Sequence, residues 1–290
     1  MNESRASKTA RQMALSRALE ARRPAAERIC FDPFAEQLVS GAYRTALLTR
    51  PLRHAVEHAI EALFPGHHHY VLARTRHFDE FLGRQLATSS AQLVILGAGF
   101  DSRAHRFADR LRGVTVFEVD HPATSAAKRE TLRGIRAALD EGVVYVPVDF
   151  NVQTLPEELR RAGFADQRRT IFLWEGVTPY LSAAAVDDVL AFIRCSTAPG
   201  SALLFDYILR SVLDESCAMR GARNEHRKMS RTAEPFTFGI ASGAAATFLG
   251  ERGFRDVVDV GADELTRSYF GPTRRAYVKP WWRIVEATVA

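Results

Sequence analysis

From Leu93 onward, short apolar runs alternate with stretches in which apolar residues recur every three or four positions. The runs predict seven strands, at 92–97, 114–119, 143–148, 169–175, 202–207, 254–260 and 282–288. Between them lie amphipathic segments such as 182–198, where Ser182 is the N-cap and Val186, Val189, Leu190 and Ile193 share a face. Thr154 and Glu157 have the spacing of a capping box. This alternation predicts an α/β fold around a mostly parallel sheet. The first 90 residues show helical periodicity alone, at about 7–23, 33–50, 52–64 and 68–88, with Asp32-Pro33 as an N-cap and first-turn pair. No Pro- or Gly-rich linker separates the two regions. Residues 1–90 therefore read as a helical cover over the ligand edge of the unit formed by 91–290, the whole making one structural unit. The charged stretch 209–235, poor in strand signal, reads as an insertion after the fifth strand that completes a lid.

Composition narrows the classes without choosing one. The 290 residues are 47% hydrophobic, enough for a full core, and carry 39 Lys+Arg against 34 Asp+Glu, a net charge of +5. That excess is too small, and too little clustered with aromatics, to point to nucleic acid. Cys30, Cys195 and Cys217 lie far apart with no C-x-x-C pair, so neither a disulfide framework nor a cysteine zinc site is indicated. Arg5, Lys8 and Arg11 precede no apolar run, and no window of about 18 apolar residues occurs. A cytoplasmic protein is expected, with no membrane partner; twofold dimers are common among soluble enzymes of this size.

The strongest local signal is QLVILGAGFDSRAHR at 92–106, a strand running into Gly97-Ala98-Gly99 and then a helix. Glycines there let the backbone approach a ligand closely. VFEVDHP at 116–122 adds a second strand ending in Asp120, 21 residues after Gly99, where a carboxylate can accept both hydroxyls of a ribose. A dinucleotide site would want a third glycine at Ser102. Asp101 beside it disfavours phosphates but tolerates an ammonium or sulfonium. Arg74 shares a helix face with Phe78 and Phe81, so its guanidinium needs an anionic partner.

Taken together, LGAGFDSRAHR, FEVDHP, VDF and LWEGVTPYL, with RALEARRP at 17–24, DPFA at 32–35 and ARTRHFD at 73–79, resemble the leucine carboxyl methyltransferase superfamily. The likeness is strongest to its bacterial branch typified by the tetracenomycin polyketide O-methyltransferase, and it runs from about residue 13 to 210. It implies a class I methyltransferase fold, Rossmann-like, using S-adenosylmethionine. Carried over by position, it assigns cofactor contacts to Arg74, Gly97, Asp120, Asp149, Phe150 and Glu175; the glycine loop adds Ala98 and Gly99, and His121, beside Asp120, reads equally as an adenine contact or as a turn residue before Pro122. Asp120 would hold the ribose, Asp149 and Phe150 the adenine edge, and Glu175 would lie near the cofactor's amino acid moiety. The carboxylate of that moiety, or of a bound acid, would be Arg74's partner. Tyr180 would face the methyl acceptor, and Arg74 with Tyr180 would form the catalytic clamp. Asp206 and Tyr207 could line the same cavity.

The expected activity is O-methylation of a carboxylate of a small molecule such as a polyketide or aromatic acid. A phenolic hydroxyl is the alternative acceptor, with His226 in the insertion as its base. A nucleotide-dependent oxidoreductase and a non-catalytic binding module are the rivals from other classes. No metal is called for: His67, His68 and His69 are consecutive, so on a helix they point apart and read as a solvated helix start. Trp281-Trp282 reads as a strand packed on the sheet with one ring at an oligomer face.

Overall fold

The computed structural model describes residues 8–39, 41–133, 142–150, 152–232, 234–271 and 274–290. Four helices come first: α1 (Lys8–Ala21), α2 (Gly41–Ala46), α3 (Arg50–Leu63) and α4 (His67–Leu86). The α/β unit follows as β1 (Gln92–Leu96), α5 (Arg103–Arg106), β2 (Thr115–Asp120), α6 (Pro122–Arg133), β3 (Val143–Pro147), α7 (Leu155–Arg161), β4 (Thr170–Trp174), α8 (Ala183–Ser196) and β5 (Ala202–Ile208). After β5 come α9 (Arg210–Leu213), α10 (Ala222–Met229), α11 (Ala245–Gly250), β6 (Phe254–Val260), α12 (Ala262–Tyr269) and β7 (Trp282–Val289).

The seven strands form one sheet in the order β3-β2-β1-β4-β5-β7-β6. β1 to β5 pair in parallel, and β7 runs antiparallel to both of its neighbours. This is the class I methyltransferase sheet that the motifs imply. Every residue of β1, β4 and β5 is buried, as expected of strands covered on both faces, whereas β6, at the edge of the sheet, is buried only at its two ends. Leu96 pairs with Val119 and with Trp174, and Trp174 with Phe205. The next residue on each strand, Gly97, Asp120, Glu175 and Asp206, therefore falls in one row at the carboxyl edge.

Two local expectations fail for identifiable reasons. Residues 33–50 do not form one helix: 33–38 make successive turns, and a short α2 follows. Asp32 is drawn into a pair with Arg17 at 2.9 Å and accepts from Phe34 N at 3.0 Å, a local turn in place of a helix start. Thr154 precedes α7, but its side chain makes no cap bond, so the capping box with Glu157 does not form. Ser182 does cap α8, accepting from Ala185 N at 3.1 Å.

The N-terminal helices build a core of their own. Ala14, Leu15, Ala18 and Leu19 of α1 pack with Ala35, Leu38 and Leu47 and with Phe100 of the glycine loop. Helix α4 is buried nearly all round through its middle, Tyr70 to Phe78, and not along one stripe, because it lies between the sheet and the other helices.

Candidate active site

A cavity of about 1200 Å³ opens along the carboxyl edge of β1, β2, β3 and β4, the place where open α/β sheets gather ligands. Gly97, Ala98, Gly99, Asp120, His121, Asp149, Phe150, Glu175, Arg74 and Tyr180 all line it. The expected residues are thus brought together, but several are held differently from the expectation.

Gly97 has φ +65°, and a Cβ there would stand 2.2 Å from Val177 Cγ2, so only glycine fits under the strand-four loop. Asp120 spans two backbone amides: its Oδ2 accepts from Gly99 N at 2.5 Å and its Oδ1 from His121 N at 2.6 Å. Burial raises its pKa, although both amides favour the charged form. His121 caps the start of α6 by accepting from Ala123 N at 3.2 Å while also facing the cavity. The helix after the glycine loop is only four residues long, and the loop is stabilised by side chains. Asp101 accepts from Arg103 N at 2.6 Å and from its guanidinium at 2.5 Å.

Arg74 does not wait for a ligand to supply its anion. It donates to Asp206 at 2.5 Å and lies 3.0 Å from Glu175. Burial opposes its charge, but Asp206 and Glu175 outweigh that and hold it cationic. With both carboxylates beside it, Arg74 still borders the cavity. At Glu175 burial again opposes charge, and the Arg103 and Arg74 guanidinia hold its carboxyl below the usual range. Asp206 lies beneath the cavity, joined also to Tyr70 Oη at 3.1 Å and Gly176 N at 2.6 Å. Tyr207 points to the opposite face, where its hydroxyl bonds Asp259 at 2.9 Å, since alternate strand residues face opposite ways.

Further expectations are corrected. His226 does not line the cavity, because α10 turns its neighbour Glu225 inward instead. The histidine run is not a solvated helix start: His68 is 2% exposed, and His67 faces the cavity. Among the described residues no group of three or more His, Cys, Asp or Glu side chains could hold a metal. Trp281 and Trp282 are both buried within the chain, so neither ring stands at a surface.

Sequence reasoning missed the far lobe of the cavity. Four rings line it in series, Tyr70 against Trp282 at 5.2 Å, Trp282 against Phe236 at 5.9 Å, and Phe236 against Tyr180 at 5.5 Å. They come from α4, β7, the segment after α10 and the turn Thr178–Tyr180, a convergence no local pattern announces. Arg103 was also missed. It is 2% exposed and bonds Asp79, Asp101 and Glu175 at 2.7, 2.5 and 2.6 Å. No helix of the described residues is long and apolar enough to cross a membrane.

The sequence model of the leucine carboxyl methyltransferase family matches residues 10–194. A Mycolicibacterium smegmatis protein named for S-adenosyl-L-methionine-dependent methyl transfer is 34% identical over 206 residues, covering 68% of this chain and 64% of its own. A Mycolicibacterium gilvum protein of the same description is 31% identical over 274 residues, covering 92% and 88%. The first of these matches thus spans slightly under two thirds of the relative's length. Among solved structures, a Thermobifida fusca protein assigned as a methyltransferase superposes with a TM-score of 0.59 over 96% of this chain and 94% of its own; at 14% identity it shares the fold.

Proposed function

Because the chain belongs to the leucine carboxyl methyltransferase family, we propose that it is an S-adenosylmethionine-dependent O-methyltransferase that esterifies the carboxylate of a small organic acid. The cofactor fits the residues present. Asp120 keeps lone pairs free of its two amides for the hydroxyls of a ribose, in a site where burial already disfavours its bare charge. Gly97 to Gly99 leave room for the chain of the cofactor, and Asp149 and Phe150 border the place for its base. Glu175 and Asp101 make the near end acidic, suited to a sulfonium and an ammonium. When bound, S-adenosylmethionine supplies a sulfonium methyl group, which an acceptor oxygen takes as the sulfur keeps the electron pair of the broken bond.

The observation that favours a carboxylate is that the described residues of the far lobe include no suitable base. Arg74 borders the cavity already paired with two carboxylates, while His67, the histidine of the far lobe, is committed through Nδ1 to Lys279 at 3.1 Å. Burial, Lys279 and Arg74 push the His67 pKa well below its usual value, so it is a poor proton acceptor near neutrality. Glu175 and Glu225 are ion-paired, and a carboxylate is in any case a weak base toward a phenol of pKa near 10. A carboxylate acceptor has no proton to lose. The protein's work is then to orient the acid with Arg74 and Tyr180 and to exclude water with the aromatic wall.

The test is the lability of the product. With methyl-labelled S-adenosylmethionine and a panel of aromatic acids and phenols, the product is expected to release labelled methanol in mild base, as an ester does. A base-stable labelled ether would make the acceptor a hydroxyl.

A further inference from the structure

Helix α4 presents His67, Tyr70 and Arg74 to the cavity, at the i, i+3, i+7 spacing that puts three side chains on one face. Seven residues of helix separate the first from the last by about 10 Å. Arg74 stands at the cofactor end, and His67 at the far end. Between them run the rings of Tyr70, Trp282, Phe236 and Tyr180, a wall matched to a flat apolar body.

The far end is polar by construction. Lys279 is 1% exposed, and its Nζ donates to Glu225 Oε1 at 2.8 Å and stands 3.1 Å from His67 Nδ1. Trp281 Nε1 donates to the other oxygen of Glu225 at 3.2 Å. An ammonium has protons to give and no lone pair to offer, so His67 Nδ1 is the acceptor and the ring proton sits on Nε2. That Nε2 has no hydrogen-bond partner among the described residues. His67 is half-buried and lines the cavity.

We propose that His67 is a specificity residue, whose Nε2–H, fixed by Lys279, receives a hydrogen-bond acceptor on the substrate about 10 Å from the group that is methylated. This rests on the methyltransferase reading of the cavity, but not on whether the methylated oxygen belongs to a carboxylate or a hydroxyl. The substrate class it defines is a rigid, largely aromatic body of about two fused rings, carrying a carbonyl or similar oxygen at the end remote from the methylated group, which on the carboxylate reading makes it an aromatic acid. An alkyl-ended acid of the same length would leave the Nε2–H buried without a partner, which is what makes the contact discriminating.

The probes are 6-acetyl-2-naphthoate and 6-isopropenyl-2-naphthoate, which differ in having C=O or C=CH2 at the far end. Binding to the full chain loaded with S-adenosylhomocysteine is read by calorimetry. The wild type is expected to prefer the acetyl probe by roughly three- to tenfold, the worth of one hydrogen bond to a neutral acceptor. His67→Leu should erase the preference and His67→Gln, which keeps an N–H donor, should retain part of it. S-adenosylhomocysteine affinity reports that each variant is folded. Equal affinity of the two probes in the wild type, persistence of the preference in His67→Leu, or binding of neither probe each overturns the proposal. Preferential binding with no methyl ester formed on addition of S-adenosylmethionine supports it while overturning the carboxylate reading.

Discussion

A carboxylate that accepts two backbone amides and still faces a cavity serves the loop and the ligand at once, and Asp120 is in that position. Its two bonds fix Gly99 and His121, so removing the side chain would loosen both backbone segments as well as the ribose site. Asp120→Asn is the more informative substitution, because it keeps one acceptor oxygen. It is expected to weaken S-adenosylhomocysteine binding at least about tenfold, the loss of one or two charge-assisted hydrogen bonds. Unchanged affinity by calorimetry would remove Asp120 from the cofactor site. Residues of this kind were legible in the sequence because they follow strands, and parallel strands in register set their ends side by side. Tyr70, Phe236, Trp282 and Arg103 were not, because each owes its place to partners far away in the chain. Tyr207 was misplaced by one step of strand alternation relative to Asp206, and His226 by one step of helix rotation relative to Glu225. The strand was expected for Tyr207 and only an insertion for His226, and in both cases the facing was set by packing that no single segment contains.

At the scale of elements, the strands were readable where both faces are covered, since a run such as Leu93 to Leu96 needs no partner to declare itself. The stretch 33–50 was not readable, because Asp32, which looks like a helix start, is recruited by Arg17. Arg17 also explains how α1 acts on the site. Its Nε pairs with Asp32, its Nη2 donates to Phe100 O at 2.6 Å, and it lines the cavity beside the glycine loop. Helix α1 is thus tied to the loop through a buried guanidinium as well as through the apolar cluster that Phe100 shares with Leu15 and Leu19. Deleting the helix would expose that core, so a point change tests its role better. Arg17→Met leaves Asp32 with Arg106 at 3.9 Å as its nearest cation. Breaking a buried pair in this way is expected to lower Tm by roughly 5–10 °C. It should also speed amide hydrogen exchange at 97–102, where an unpinned loop opens more often. Exchange unchanged there, with the same loss of Tm, would confine Arg17 to stability.

At the scale of the whole molecule, one connected array of charges links the cover, the site and the sheet. Arg17 meets Asp32, Asp32 meets Arg106, Arg106 and Arg103 share Asp79, Arg103 joins Asp101 and Glu175, and Arg74 links Glu175 to Asp206. The array runs from α1 through the glycine loop and α4 to the ends of β4 and β5, so acid acts on the cover, the site and the sheet together. Burial opposes charge at Asp32, Asp101 and Glu175, yet the guanidinia beside them hold all three carboxyls below their usual range. Their stabilisation is present above the unfolded carboxyl pKa, near 4, and is lost as pH falls from there through the lowered folded values. Asp120 and Glu118, pushed up by burial, act in the opposite sense and above pH 4, where falling pH protonates them first in the folded chain. The histidines give a second step, against which those two carboxyls work. Burial, with the neighbouring cations, pushes His67 well down and His68 down to about 3, so the folded chain stays unprotonated where the unfolded chain takes up protons below about pH 6.5. Stability should therefore fall with pH from about 6.5 to 4.5, by roughly 1–2 kcal/mol per pH unit for each such histidine. Among the described residues neither ring nitrogen of His68 has a hydrogen-bond partner, so His68→Leu removes the titration without breaking a described bond. Urea unfolding at pH 7, 6, 5 and 4.5 is expected to show the variant at least as stable as the wild type at pH 7, with a pH slope shallower by about one proton. A slope identical to the wild type's would mean that His68 is not the group taking up that proton on unfolding.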